Sequence, residues 1–257
     1  MEFRPCIDIH NGKVKQIVGG TLKDAGDMAE TNFVSGQKAV YYADLYRRHG
    51  LKGGHVILLN GTDSPYYEAT RREAFAALAA YPQGLQIGGG VTAENAEQYL
   101  LAGASHVIVT SYVFRDGMIC YPRLEKLRAA VGKEHIVLDV SCRKRGANYD
   151  IVTDRWQKFT DTPLSVGLLI ELSEYCDEFL VHAVDVEGKA SGIETAVVSL
   201  LADAKRPVTY AGGVSTYQDI ERIKQLGRNK VNITIGSALS LFGGQLDFEE
   251  VIQCIQS

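Results

Sequence analysis

Pro207-Val208-Thr209-Tyr210-Ala211-Gly212-Gly213-Val214-Ser215 reads as a short strand that runs into two glycines. A helix is expected to begin at Ser215, with Gln218 three positions on at the spacing of a capping box. Glycines leave backbone N–H groups uncovered, and a helix N-terminus behind them adds the positive end of its dipole. The combination attracts phosphate. One such stretch would carry little weight, but Leu85-Gln86-Ile87-Gly88-Gly89-Gly90-Val91-Thr92 is the same object again.

The match extends outward from both copies. The first glycine run precedes an amphipathic helix, Ala93 to Leu101, a strand from His106 to Thr110, and Ser111. The second precedes a helix from Asp219 to Leu226, a strand from Val231 to Ile235, and Gly236-Ser237. Upstream, Cys6-Ile7-Asp8-Ile9 and Ile136-Val137-Leu138-Asp139-Val140 are both strands carrying an aspartate near the end. A repeat with a period near half the chain indicates a duplicated half-fold and not a solenoid.

In chain order, eight short apolar strands alternate with eight helices. The strands start at Arg4, His55, Leu85, His106, Ile136, Glu178, Val208 and Val231. Such strands suit a parallel sheet covered on both faces. The expected fold is α/β, a (β/α)8 TIM barrel with internal half-barrel duplication, forming a single domain over residues 1–257 with no linker or composition break. An open doubly wound sheet is the competitor, and it leaves the matching halves unexplained. Two segments exceed ordinary connections of ~4–6 residues. His10 to Thr31 is polar and holds Val14-Lys15-Gln16-Ile17-Val18, expected as a small hairpin, with the first helix following from Val34 to His49. Ser141 to Thr162 carries Arg143-Lys144-Arg145, the alternating Tyr149-Asp150-Ile151-Val152, and the only tryptophan, Trp156.

Composition bounds the function. A hydrophobic fraction of 46% and a charged fraction of 23% are those of a globular protein. A net charge of −4 gives no reason to expect nucleic acid or an anionic membrane surface. No apolar run approaches the ~20 residues of a membrane span, and Met1-Glu2-Phe3-Arg4-Pro5 lacks a signal h-region, so it is expected to run straight into the first strand. The five cysteines are scattered without CxxC spacing, so they are expected to be reduced thiols in a cytoplasmic protein. The six histidines lack metal-ligand spacing, and no metal or organic cofactor is expected.

In barrels of this kind the chemistry sits at the C-terminal ends of the strands. Asp8 and Asp139 would face one another there, from strands 1 and 5. Gly89 and Gly90 with Thr110 and Ser111 would form one phosphate seat, and Gly212 and Gly213 with Gly236 and Ser237 the other. An elongated bisphosphate would span the mouth with its centre between the carboxylates, which suits general acid–base chemistry. Each residue also has a structural reading: an aspartate at a strand end caps turns, and Trp156 could be core.

On these residues the sequence resembles the phosphoribosylformimino aminoimidazole carboxamide ribotide isomerases of histidine biosynthesis, over essentially its whole length. The carriers are Arg4-Pro5-Cys6-Ile7-Asp8-Ile9-His10-Asn11-Gly12-Lys13, Gln86-Ile87-Gly88-Gly89-Gly90-Val91, Leu138-Asp139-Val140 with Arg143-Lys144, and Ala211-Gly212-Gly213-Val214-Ser215. The resemblance implies an Amadori rearrangement of a small-molecule bisphosphate, without cofactor or obligate protein partner. It implies Asp8 as the base at C2 and Asp139 as the acid at the ring oxygen. The long strand-5 segment would be a lid, with Trp156 stacking on the aminoimidazole and Arg143 or Arg145 meeting a phosphate or the carboxamide. The sequence departs from bacterial-type members in the strand-2 motif, Leu58-Leu59-Asn60-Gly61, where they carry an aspartate, and at Thr92, where they carry an arginine. At the end of strand 6 they carry a hydroxyl residue, where this chain reads His182-Ala183-Val184-Asp185-Val186-Glu187-Gly188. Two alternatives stay open. One is the related cyclase barrel of imidazole glycerol phosphate synthase, which takes ammonia from a glutaminase. The other is a non-catalytic bisphosphate-binding barrel.

Overall fold

The computed structural model describes residues 1–18, 21, 30–189 and 191–256. Eight parallel strands form the barrel wall: Cys6–His10, Gly54–Leu58, Leu85–Gly88, His106–Val109, Ile136–Asp139, Glu178–His182, Val208–Ala211 and Val231–Ile233. Each pairs with its neighbour in chain order. The ring closes through residues just ahead of the first strand. Phe3 bridges Ile233 in parallel, Arg4 N donates to Ile233 O at 2.8 Å, and Ile233 N donates to Glu2 O at 3.0 Å. The architecture is the (β/α)8 barrel, and the open sheet falls away.

Strand alternation sorts the side chains. Ile7, Ile9, Val56, Ile87, Val107, Leu138, Phe179, Val181, Tyr210 and Ile233 point outward and join the helices in the main core. Ile57, Ile108, Val137 and Leu180 point inward and form a separate small cluster, the apolar layer inside the barrel. Beneath it, at the strand starts, Glu178 pairs with Arg4 and accepts from Gln86 Nε2 at 2.7 Å, a buried polar plug. Above it, at the strand ends, Asp8, Asp139 and His182 are the next inward residues. Polar side chains thus lie on both sides of this apolar cluster.

The two halves share their backbone conformation at the glycine turns. Gly89 and Gly90 have φ of +101° and +68°, and Gly212 and Gly213 have +119° and +73°. A Cβ at Gly89 would strike the carbonyl of Leu58, and one at Gly212 would lie 2.8 Å from the carbonyl of Ala183. Leu58 and Ala183 hold equivalent places at the ends of strands 2 and 6, since Ile57 registers with Gly88 and His182 with Ala211.

Several expectations shift. The residues before the first helix form a strand, Thr31–Val34, which pairs with Lys13–Ile17, so that helix starts only at Ala39. Lys13–Ile17 in turn pairs antiparallel with the first barrel strand, making the expected hairpin. Much of the polar segment between His10 and Thr31 lies outside the described residues. The helix after the second glycine run is capped by Thr216 and Asp219, not by Ser215 and Gln218. The short hydroxyl and the acid simply sit one position further along. The stretch after strand 5 is no irregular loop but a three-stranded antiparallel sheet, Cys142–Arg145, Asn148–Thr153 and Lys158–Pro163. Among the described residues no helix is long and apolar enough to cross a membrane.

Candidate active site

Strands 1 and 5 stand opposite one another in an eight-membered ring, so Asp8 and Asp139 enter the mouth from facing walls. Both line one cavity of about 610 Å³. Gly89, Gly90, Thr110 and Ser111 line it too. Gly212, Gly213, Gly236 and Ser237 line an adjoining recess of about 30 Å³, which shares Asp8, His182 and Glu187 with the larger cavity. Every glycine and hydroxyl residue expected at a phosphate seat is therefore at the same rim, one set on each side of Asp8.

The donors at those seats differ from the expectation in one respect. Ser215 N and Thr216 N donate to Asp219 Oδ2 at 3.0 and 2.9 Å, and Thr92 N donates to Asn95 Oδ1 at 2.8 Å. Amides just ahead of both helices are thus taken by side chains. An anion is left with the glycine turns and the residues following strands 4 and 8.

The two aspartates have different surroundings. Burial pushes the Asp8 carboxyl up to about 7. Burial also raises Asp139, but hydrogen bonds from Ser141 and Thr110 oppose the rise by favouring the carboxylate. Ser141 N donates to Asp139 Oδ1 at 2.9 Å, and the Ser141 hydroxyl donates to the same oxygen. Two histidines project into the barrel nearby, their rings 6.0 Å apart. Burial lowers His182 to about 4; burial and then the neighbouring His182 lower His55 to about 3. Both are neutral imidazoles at physiological pH.

Trp156 sits in the turn joining the last two strands of the strand-5 sheet, and its indole reaches His182. Asp154, Arg155 and Trp156 have φ of +51°, +57° and +66°, three successive left-handed residues without a glycine. Such backbone persists only where its surroundings enforce it, and it clusters at functional sites. Asp154 N donates to Ser111 Oγ at 2.9 Å, so the turn is fastened to the residue that follows strand 4 at the cavity rim. Arg143 and Arg145 are not brought to the cavity. Arg143 Nε donates to Asp185 Oδ1 at 2.9 Å, and Arg145 pairs with Asp150. Both guanidinium groups lie 5.4 Å from the Phe159 ring. Asp185 is engaged with Arg143 and with Lys144 N, so it holds the base of the sheet.

Two cavity residues, Arg155 and Glu187, and one buried residue beside Asp139, Ser141, escaped the sequence reading as site residues. Arg155 lines the large cavity from the strained turn. Ser141 lies two residues past Asp139, a spacing that returns it to the same side of an extended chain and was the available signal. Glu187 lies five residues past strand 6, where alternation gives no guidance; burial and then the charge of Asp8 push its carboxyl up to about 7. For a metal, His106, Asp177 and Glu178 bring donor atoms within 4.8 Å of one another among the described residues, but at the start of strands 4 and 6. Arg206 and Arg4 already neutralise those carboxylates.

Comparison with known proteins adds a family and its relatives. The family model described as "Histidine biosynthesis protein" matches residues 2–247. The chain is 54% identical over 257 residues to a chloroplastic protein of Medicago truncatula, covering 98% of this chain and 81% of the relative. It is 43% identical over 263 residues to a protein of Yarrowia lipolytica, covering 98% and 97%. It is 44% identical over 247 residues to one of Neurospora crassa, covering 95% and 93%. All three are named 1-(5-phosphoribosyl)-5-((5-phosphoribosylamino)methylideneamino) imidazole-4-carboxamide isomerase.

Proposed function

The chain belongs to the histidine biosynthesis protein family, and from that premise we propose that it is the isomerase. It converts the phosphoribosylformimino aminoimidazole carboxamide ribotide to its phosphoribulosyl form by an Amadori rearrangement. The observation that carries the reading is the shared rim: two glycine-lined anion seats flank Asp8, and Asp139 faces it across one cavity.

The substrate carries a phosphate at each end and lies across the mouth. Asp139 donates a proton to the ring oxygen as the C1–O bond opens. Asp8 then removes the C2 proton, and the resulting enolamine becomes the ketone as C1 is protonated. A base with a carboxyl near 7 is matched to the proton it moves at neutral pH. Proton transfers suffice, so the reaction calls for neither metal nor organic cofactor, and no obligate protein partner is proposed.

A second assignment of the acid is favoured by one observation. Glu187 is raised to about 7 by burial and by the charge of Asp8, so this neighbouring pair can hold one proton between its members, one acid and one base. The related cyclase is disfavoured by the names of the relatives. A non-catalytic barrel is disfavoured by the cost of raised carboxyls that have no task. The free, largely buried cysteines suit a reducing compartment, and we propose the cytoplasm, although the Medicago truncatula relative is named chloroplastic.

The test is turnover of the bisphosphate substrate in the absence of ammonia and glutamine. Asp8→Asn and Asp139→Asn should each lose it while still binding substrate. Near-wild-type turnover in Asp8→Asn would overturn the reading, and in Asp139→Asn would remove that residue as the acid.

A further inference from the structure

The hydroxyl of Ser141 stands between Asp139 and the ring of His182. Its Oγ touches Asp139 Oδ1, lies 3.0 Å from His182 Nδ1, and accepts the His182 backbone N–H at 3.0 Å. A serine hydroxyl has one proton and two acceptor lone pairs. The backbone N–H takes one lone pair, so the proton and the other lone pair face Asp139 and Nδ1 in opposite senses. An ionised Asp139 only accepts. Ser141 then donates to it, and Nδ1 of His182 carries the ring proton. A protonated Asp139 donates to Oγ instead. Ser141 then donates to Nδ1, and the ring proton sits on Nε2. The protonation of Asp139 and the tautomer of His182 are one variable.

We propose that Ser141 and His182 form a proton relay through which Asp139 acts and is reloaded beneath the strand-5 sheet. The inference rests on the assignment of Asp139 as the acid. Asp139 becomes a carboxylate as its proton moves to Ser141 Oγ, the Ser141 proton to Nδ1 of His182, and the Nε2 proton to the ring oxygen, which leaves Nδ1 protonated and Nε2 with a lone pair. Asp8 takes the C2 proton and returns it to C1. The enol O2–H then sheds a proton as the ketone forms. That proton adds to the lone pair on Nε2 of His182, the Nδ1 proton passes to Ser141 Oγ, and the Ser141 proton passes to Asp139 Oδ1. One proton enters and one is delivered, so no charge stays on the relay. A relay needs a neutral imidazole, and burial keeps His182 in that form. It also needs a starting end at the substrate. His182 lines both parts of the cavity beside Asp8, with Trp156 covering its ring.

His182→Asn keeps a polar group for Ser141 but cannot pass a proton, and Ser141→Ala removes the link. Each is expected to lower kcat by about a hundredfold with KM nearly unchanged. The double variant should be no slower than the slower single one, because both cut the same path. In His182→Ala, added imidazole should restore kcat, whereas thiazole, of similar shape but scarcely basic, should not. His182→Gln replaces His182→Asn if that variant does not fold. Wild-type kcat in Ser141→Ala or His182→Asn, losses that multiply in the double variant, a rise in KM alone, or rescue by thiazole as well as imidazole would each overturn the relay. Asp139→Asn run alongside separates the two levels: an inactive Asp139→Asn with active relay variants sinks only the relay, and an active Asp139→Asn sinks the acid assignment beneath it.

Discussion

The indole of Trp156 lies 4.9 Å from the imidazole of His182, centroid to centroid, with the rings at 45°. The strained turn from Asp154 to Trp156 thereby closes over the barrel mouth and rests on a strand-6 residue. A flat aminoimidazole carboxamide entering the cavity would take the indole face in place of His182. Such a ring contact is worth ~0.5–1.5 kcal/mol beyond area. Trp156→Ala should therefore raise KM by roughly tenfold and leave kcat within about threefold. Trp156 is the only tryptophan, so its emission should also change as substrate is titrated in. An unchanged KM and a flat titration would remove the stacking role.

The raised carboxyl of Asp8 has a consequence for stability. Its folded value, about 7, is above the ordinary 3.8. Between those values the folded state binds more protons than the unfolded one, so stability declines as pH rises through that window. Asp8→Asn removes the penalty. At pH 8 the variant should be more stable by roughly 2–4 kcal/mol, and the difference should vanish as pH falls to the ordinary value of 3.8. Urea unfolding at several pH values measures this. A variant no more stable than wild type at pH 8 would show that Asp8 is ordinarily solvated.

Gly89 and Gly212 should behave as equivalents. Both have positive φ, and a Cβ on either meets a carbonyl at the end of the preceding strand. Gly50 also has positive φ, +66°, but has nothing within 4 Å of a built Cβ. Gly50→Ala thus reports backbone strain alone, about 1 kcal/mol. Gly89→Ala and Gly212→Ala should each cost several-fold more and weaken binding of inorganic phosphate. A urea midpoint no lower than that of Gly50→Ala would mean the two turns tolerate a side chain.

The barrel, and the gathering of both glycine turns at one rim, were legible because they rest on local signals: short apolar strands, glycine pairs, and a repeat that relates one half to the other. Asp8 and Asp139 stood out for the same reason. The rest depended on tertiary contact. Arg143 and Arg145 looked like phosphate ligands, but Asp185 and Asp150 claim them once the strand-5 segment folds as a sheet. No periodicity distinguishes them from Arg155, which lines the cavity only because three left-handed residues turn it there. Glu187 is a loop residue whose distance from Asp8 exists only after the barrel closes. Asp219 takes the amides of Ser215 and Thr216, just ahead of the helix, because its carboxylate folds back by one turn, a competition a motif cannot show.

The choice of acid between Asp139 and Glu187 is open to a direct measurement. A general acid must be protonated, so an acid near 7 gives an alkaline limb on which kcat falls as pH rises. Glu187 lies near 7, whereas hydrogen bonds to Asp139 work against its rise. With Asp139 as the acid, Asp139→Asn should lose about a hundredfold or more in kcat, and Glu187→Gln less than tenfold. Glu187→Gln should then keep an alkaline limb, because the group that causes it is still present. With Glu187 as the acid the ranking inverts, and the alkaline limb disappears together with most of the rate in Glu187→Gln. The pH–kcat profiles of the two variants, taken beside Asp8→Asn as the inactive reference, assign the proton to one carboxyl or the other.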